Sequence, residues 1–168
     1  MLGFITTDCA ISPAMLQAAL SESVERTYNC VSVDGDTSTN DTLIALANGL
    51  AGNKMISSKN ADWKAFVEAL DAVNTEMAKK IAGDGEGATH LIECNVCGAK
   101  NDEVARNLAK SVISSSLVKA AFFGKDANWG RILCAMGYSG ELFTQSGTSV
   151  FFDSGAGGLT VLRAMERI

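Results

Sequence analysis

Proline and histidine are almost missing from this chain of 168 residues, which contains one of each. With one proline and no low-complexity stretch, no linker is visible in the sequence. The single histidine, His90, limits the chemistry more strongly. A Ser-His-Asp triad could use only His90, and nothing places a serine beside it. A zinc site would likewise have to draw its other ligands from cysteines and acids.

An excess of positive charge and a long apolar run are also lacking. The chain has 14 Lys and Arg against 19 Asp and Glu, for a net charge of −5. No surplus of cations is available to neutralise phosphates, which argues against a nucleic-acid partner. No apolar run reaches the roughly 20 residues that span a bilayer. No secretory leader is visible at the start. These absences predict a cytoplasmic protein with no membrane partner.

Cysteines are present but odd in number and scattered, as expected for thiols in a reducing compartment. Cys94 and Cys97 form a CxxC pair. A redox pair normally opens a helix, where the dipole lowers the thiol pKa. The stretch 89–97 reads as a strand instead, so neither a redox nor a metal role is favoured here, and no metal is expected in the chain.

Alternating strand and helix patterns predict an α/β (α+β) fold. Ser12 followed by Pro13 is typical of a helix start. The predicted strands are 2–8, 30–33, 89–97 and 117–123. The first predicted helix begins at Pro13. The second runs from a cap at Asn40 or Asp41 through Leu50. Three more helices are predicted over 61–82, 101–115 and 127–137.

Three polar, glycine-containing runs are candidates for chemistry. The run Val33–Asp41 (VDGDTSTND) is either a cap and turn before a helix or a pocket wall of hydrogen-bonding groups. The run Asp84–Thr89 (DGEGAT) surrounds Glu86 with glycines, which permit close approach of another group. Glu86 could therefore grip an amino group, or the run is a solvated turn.

The third run, Gly124–Arg131, also has a structural and a functional interpretation. Asn128 could simply cap the following helix, with Trp129 in the core. Alternatively, Arg131 could bind a carboxylate with two parallel hydrogen bonds. None of the three runs is a phosphate loop, a nucleophile elbow or a dinucleotide fingerprint.

Taken in order, the motifs resemble one family, the β chain of ornithine/glutamate N-acetyltransferase. The resemblance covers about residues 1–140 and includes the two runs VDGDTSTND and DGEGAT. Its other parts are Met1–Asp8, Ala47-Asn48-Gly49, Ala51-Gly52-Asn53, Leu117-Val118-Lys119 and Gly124–Ile132 (GKDANWGRI). It implies a layered sandwich of mixed sheets flanked by helices.

The resemblance also implies a mechanism. A precursor cuts itself before a threonine, which becomes the N-terminal nucleophile of the β chain and uses its own amine as base. The threonine takes acetyl from N-acetylornithine and passes it to glutamate, in arginine biosynthesis. No cofactor is implied, and acetyl-CoA is a co-substrate of some members. The implied assembly is an α2β2 heterotetramer, in which the α chain donates hydrogen bonds to the oxyanion.

Carried onto this chain, Glu86 matches the family's substrate-binding glutamate, with the task of holding an ammonium group. The remaining pocket-lining candidates are Asp36, Thr37, Asn40, Asn128 and Arg131. No catalytic residue is expected within the chain, because the nucleophilic threonine would immediately precede Met1. The alternative is a catalytically inactive fragment that only binds an α chain.

Two further departures from the family pattern concern His90 and the tail. A lysine is usual where His90 stands, so His90 is either a surface replacement or a pH-sensitive pocket group. The domain of residues 1–147 is followed by a tail, 148–168, in which residues 150–164 resemble the opening strand, turn and helix of glutamate racemase. A racemase-like enzyme is therefore a remote alternative.

Overall fold

The structure is a computed structural model that describes the backbone of residues 1–162 and the side chains of residues 1–159. It divides into two compact units. The first contains Met1–Val31 and Gly35–Asp84, and the second contains Ser32–Asp34 and the chain from Gly85 onward. The chain therefore passes between units inside two of the polar runs, 33–41 and 84–89.

The first unit packs two helices against a small parallel sheet. Strand β1 (Leu2–Thr7) pairs in parallel with strand β2 (Thr42–Ala47), with Leu2 opposite Thr42. Helices α1 (Pro13–Arg26) and α2 (Ala61–Gly83) supply most of the core, and a short 3-10 helix at Tyr28–Cys30 follows α1. The buried core residues are Ile11, Ala19, Ile56, Trp63, Val67 and Leu70.

Both long helices of this unit begin at capping side chains. The Ser12 hydroxyl accepts a hydrogen bond from the Met15 N–H at 3.4 Å, with proline in the first turn. The Asn60 side chain accepts from the Trp63 N–H at 2.9 Å. Each cap satisfies a backbone donor that the helix itself leaves unpaired. The predicted helices at Pro13 and 61–82 are confirmed.

In its described part, the second unit is built from three short helices and a hairpin. The helices are α3 (Asp102–Ser114), α4 (Ser116–Phe123) and α5 (Trp129–Gly137). After a 3-10 turn at Gln145–Gly147, strands β3 (Val150–Ser154) and β4 (Gly157–Leu162) pair antiparallel. The buried core residues are Leu108, Val112, Val118, Leu133, Ala135, Met136 and Val150. No helix among the described residues is long and apolar enough to cross a membrane.

Two predicted elements have the opposite type in the structure. The predicted helix through Leu50 is strand β2, in which exposed and half-buried residues alternate along the pair with β1. The predicted strand 117–123 is helix α4, because Ser115 caps it and Val118, Ala121 and Phe122 turn one helical face to the core. Both were short apolar runs, whose period does not separate helix from strand.

Two further predicted strands are absent from the described residues. Cys30 is the last residue of the short 3-10 helix, and residues 31–33 follow it as irregular chain. Residues 89–97 also form no regular element, although burial alternates along them as it would along a strand. Cys94 and Val96 pack against the core of the second unit. The alternation was therefore read correctly, but no described strand pairs with this segment.

The tail departs from the strand, turn and helix that the racemase resemblance predicted. Residues 157–162 form β4 and pair with β3, so a hairpin takes the place of the helix start. Arg163 and Ala164 lie outside the described residues. The domain boundary near residue 147 stays a prediction.

Candidate functional site

The start of β1 lies beside the end of the VDGDTSTND run. The Met1 carbonyl accepts from the Thr42 N–H at 3.0 Å. The Met1 amino group donates to Asp41 Oδ1 at 2.5 Å. This hydrogen bond from the terminal amino group, with its positive charge, lowers the pKa of Asp41 below the ordinary value.

The other candidates in this run lie in an exposed turn. Asp36, Thr37 and Asn40 are all exposed. The Asn40 N–H donates to the Ser38 hydroxyl at 3.1 Å, and the Asp41 N–H donates to the Ser38 carbonyl at 3.3 Å. The run is thus a turn, but it leads into a strand and caps no helix. The pocket-lining role of Asp36, Thr37 and Asn40 stays a prediction.

Glu86 lies in a tight turn after α2. The Ala88 N–H donates to the Gly85 carbonyl at 2.8 Å, which closes the turn. Gly87 has a φ of +68°, a backbone conformation that is strained for a residue with a side chain. The Glu86 side chain is exposed and makes no hydrogen bond or ion pair within the described part of the chain. Its carboxylate is therefore available to a ligand. His90 is also exposed, and its Nδ1 lies 2.7 Å from the Thr89 hydroxyl.

A cavity of about 380 Å³ opens at the start of α5 in the second unit. The Asn128 side chain caps α5 by accepting from the Arg131 N–H at 3.2 Å. The guanidinium of Arg131 donates through Nη1 to the Leu117 carbonyl at 2.9 Å, which joins α5 to α4. The cavity is lined by Ser115, Ser116, Leu117, Asn128, Gly130, Arg131, Cys134 and Tyr138.

The lining of this cavity suits a small molecule that carries a carboxylate. Arg131 has five N–H donors, and the contact with Leu117 engages one of its nitrogens. Asn128 and Arg131 both line this cavity, but their role in binding stays a prediction. Ser115, Ser116 and Tyr138, which also line it, gave no signal in the sequence. Trp129 is 42% exposed, so the expectation that it belongs to the core was wrong.

The CxxC pair has unequal surroundings. Cys94 packs against the core, and burial raises the pKa of its thiol, whereas Cys97 is exposed. A raised thiol pKa means less thiolate and slower attack on electrophiles. Within the residues that the structure describes, no group of three or more His, Cys, Asp and Glu could hold a metal ion.

We expect iodoacetamide to label Cys94 at least about tenfold more slowly than Cys97, because only the thiolate attacks and Cys94 is also shielded. Peptide mass spectrometry after timed labelling measures both rates in one sample. In urea the two rates should converge. Equal rates in the folded protein, or a Cys94–Cys97 disulfide, would contradict this view of the pair.

Comparisons with known proteins give a consistent result. A family model described as the ArgJ family matches residues 1–167. "Arginine biosynthesis bifunctional protein ArgJ 1" of Clostridium acetobutylicum is 54% identical over 154 residues, which is 92% of this chain and 38% of that protein. "Arginine biosynthesis bifunctional protein ArgJ" of Symbiobacterium thermophilum is 51% identical over all 168 residues, which is 41% of its length. The chain thus spans about two fifths of these curated relatives.

A solved structure agrees with the sequence comparisons. The crystal structure of arginine biosynthesis bifunctional protein argJ from Bacillus halodurans is similar with a TM-score of 0.91 and 46% identity. The match covers 100% of this chain and 77% of that one. This likeness confirms the predicted α/β class. The family match also includes most of the tail that was compared with glutamate racemase.

Proposed function

Because the chain belongs to the ArgJ family of arginine biosynthesis bifunctional proteins, we propose that it is the β-chain part of a glutamate N-acetyltransferase. The proposed reaction moves acetyl from N-acetylornithine to glutamate. The observation that carries the proposal is the match itself, at 51% identity over the whole chain and with both polar runs included. Acetyl-CoA is proposed only as an additional acetyl donor.

The proposed nucleophile is a threonine joined to the nitrogen of Met1. Its hydroxyl attacks the acetyl carbonyl, ornithine leaves with its amino group restored, and the ester of threonine is then attacked by the amine of glutamate. The free α-amine of the threonine is suited to move the protons, because an α-amino group has a pKa of about 7.7–8.0. The exposed carboxylate of Glu86 is proposed to bind the ammonium of the substrate.

The proposed partner is an α chain from the same precursor, in an α2β2 assembly. The support is an uncovered apolar face on the parallel sheet of the first unit. Leu2, Phe4 and Leu46 on this face are 70%, 68% and 56% exposed, and Ile44 is 39% exposed. Parallel sheets are normally covered on both faces, so such a face favours a partner.

A second candidate function is a partner-binding fragment without activity. The observation that favours it is the same exposed apolar face of the parallel sheet, which suits a partner chain whether or not the assembly is active. Such a protein would bind an α chain through this face without transferring acetyl.

The test is to express the chain joined to the upstream segment of its gene, and to assay transfer from N-acetylornithine to glutamate. We expect cleavage before the threonine, followed by production of ornithine and N-acetylglutamate. The matched control replaces that threonine with alanine and should abolish cleavage and transfer. If the two segments of the wild-type precursor stay associated but no acetyl is transferred, the interpretation as a binding fragment without activity replaces the proposed enzyme.

A further inference from the structure

An arginine without a carboxylate partner lies in the wall of the cavity at the start of α5. Arg131 is half-buried, and it makes no ion pair with any residue that the structure describes. Its Nη1 donates to the Leu117 carbonyl at 2.9 Å, which holds the guanidinium against α4. Nε and Nη2 have no acceptor among the described residues, so one edge of the guanidinium is left for a ligand. A partly buried charge is stabilised by a counter-ion, which favours an anion in this cavity.

The rest of the lining adds hydrogen-bond donors and no negative charge. Ser115 is only 7% exposed, and its Oγ accepts from the Val118 N–H at 3.3 Å. The hydrogen of this hydroxyl has no acceptor among the described residues, so an anion can accept it. No aspartate or glutamate belongs to the described lining. The Asp126 carboxylate accepts from Asn128 Nδ2 at 3.0 Å and lies outside the lining. The starts of α4 and α5 both contribute residues, and a helix start carries a partial positive charge.

The size and the apolar part of the cavity restrict the ligand further. The volume of about 380 Å³ lies in the usual range for small-molecule pockets. Leu117 and Tyr138 line the cavity and are 59% and 60% exposed, so an apolar group would remove part of both side chains from water. An ammonium group would be repelled by Arg131 and would find no carboxylate in the described lining. The lining therefore favours a carboxylate on an apolar body and disfavours an amino group.

We propose that this cavity is a binding site for a small apolar monocarboxylate that has no amino group. Two parallel hydrogen bonds from Nε and Nη2 of Arg131 hold the carboxylate. The Ser115 hydroxyl donates a third hydrogen bond, and the apolar body packs on Leu117 and Tyr138. Such a ligand has no amine that could accept or release acetyl. The inference therefore goes beyond the proposed acetyl transfer and does not depend on it.

The test measures binding to the full-length protein by isothermal titration calorimetry, with 4-methylpentanoate as the probe. Two matched compounds each differ from the probe by one group, since leucine adds an ammonium and 4-methylpentanamide lacks the negative charge. We expect saturable binding of 4-methylpentanoate. Leucine and the amide should displace it at least about tenfold less effectively, because leucine brings an unpaired ammonium and the amide loses the charge-assisted hydrogen bonds.

Three variants locate the binding in this cavity. Arg131→Gln removes the charge and should raise the Kd of 4-methylpentanoate by about 10- to 100-fold. Ser116→Trp fills the cavity but leaves Arg131 and its bond to the Leu117 carbonyl in place, and it should raise the Kd by at least about tenfold. The matched control is Arg106→Gln, which removes an exposed cation of α3 in the same unit and should leave the Kd unchanged.

Arg131 also joins α5 to α4, so far-ultraviolet circular dichroism checks that Arg131→Gln is folded. Where it is not folded, Ser116→Trp decides. The inference is overturned if 4-methylpentanoate does not bind the wild type, or if its Kd is the same in the folded variants. Displacement by leucine as effective as that by the probe itself would also overturn it. A wild-type protein that binds the probe but transfers no acetyl would overturn only the proposed function.

Discussion

Replacement of Glu86 by glutamine should lower kcat/KM for N-acetylornithine about 30- to 150-fold in the assembled enzyme. On the proposed function Glu86 binds the substrate ammonium, so glutamine would lose a charge-assisted hydrogen bond worth about 2–3 kcal/mol. A change of about 1.4 kcal/mol corresponds to tenfold in kcat/KM. Glutamine has nearly the same size, so it removes the charge and little else. Because Glu86 has no hydrogen-bond or ion-pair partner among the described residues, the unfolding temperature should stay the same.

The matched control for Glu86 is Glu103→Gln, in the first turn of α3 in the same unit. It also neutralises an exposed glutamate and should leave kcat/KM unchanged. Steady-state kinetics on the wild type, Glu86→Gln and Glu103→Gln measure kcat/KM for each protein. A wild-type kcat/KM in Glu86→Gln would mean that the DGEGAT run is only a solvated turn.

Replacement of Trp63 by alanine should lower the free energy of unfolding of the first unit by about 3–5 kcal/mol, the usual cost of deleting a buried aromatic side chain. Trp63 is only 5% exposed and packs in the core between α1 and α2. Its Nε1 also donates to the Met15 carbonyl at 3.1 Å, so alanine removes a hydrogen bond between the two helices as well.

The second tryptophan is a natural control for the first. Trp129 lies in the second unit and is 42% exposed, so Trp129→Ala should cost about 1 kcal/mol or less. Urea unfolding followed by far-ultraviolet circular dichroism measures both variants without relying on tryptophan fluorescence. Equal losses for Trp63 and Trp129 would contradict the core described for the first unit.

Helices with clear start signals were predictable. α1 begins directly after Ser12, whose hydroxyl accepts from the N–H three residues on, as the Ser-Pro pair indicated. α2 was predicted over 61–82, and its cap at Asn60 was found only in the structure. Asn128 likewise caps α5 where the sequence placed a cap. Such signals act within a few residues, so they can be read without knowing the rest of the fold.

Elements decided by distant partners were not predictable in the same way. Residues 42–47 have apolar spacing that also suits a helix, yet they form a strand because β1, some 40 residues earlier, offers a parallel edge. Residues 89–97 have the alternation of a strand but no partner within the described chain. A strand requires a neighbour, and a sequence pattern does not say whether one is present.

The sequence by itself determined the family, because seven motifs keep their order along about 140 residues and include Glu86 and the cap at Asn128. It also determined the local helix starts, which depend on neighbouring residues. Only the tertiary structure decided that residues 42–47 pair with β1, that Arg131 joins α5 to α4 beside a cavity, and that Cys94 is shielded while Cys97 is not. Each of these facts depends on contacts between segments that are separated in the sequence. Only folding brings such segments together, so their contacts cannot be read from local patterns.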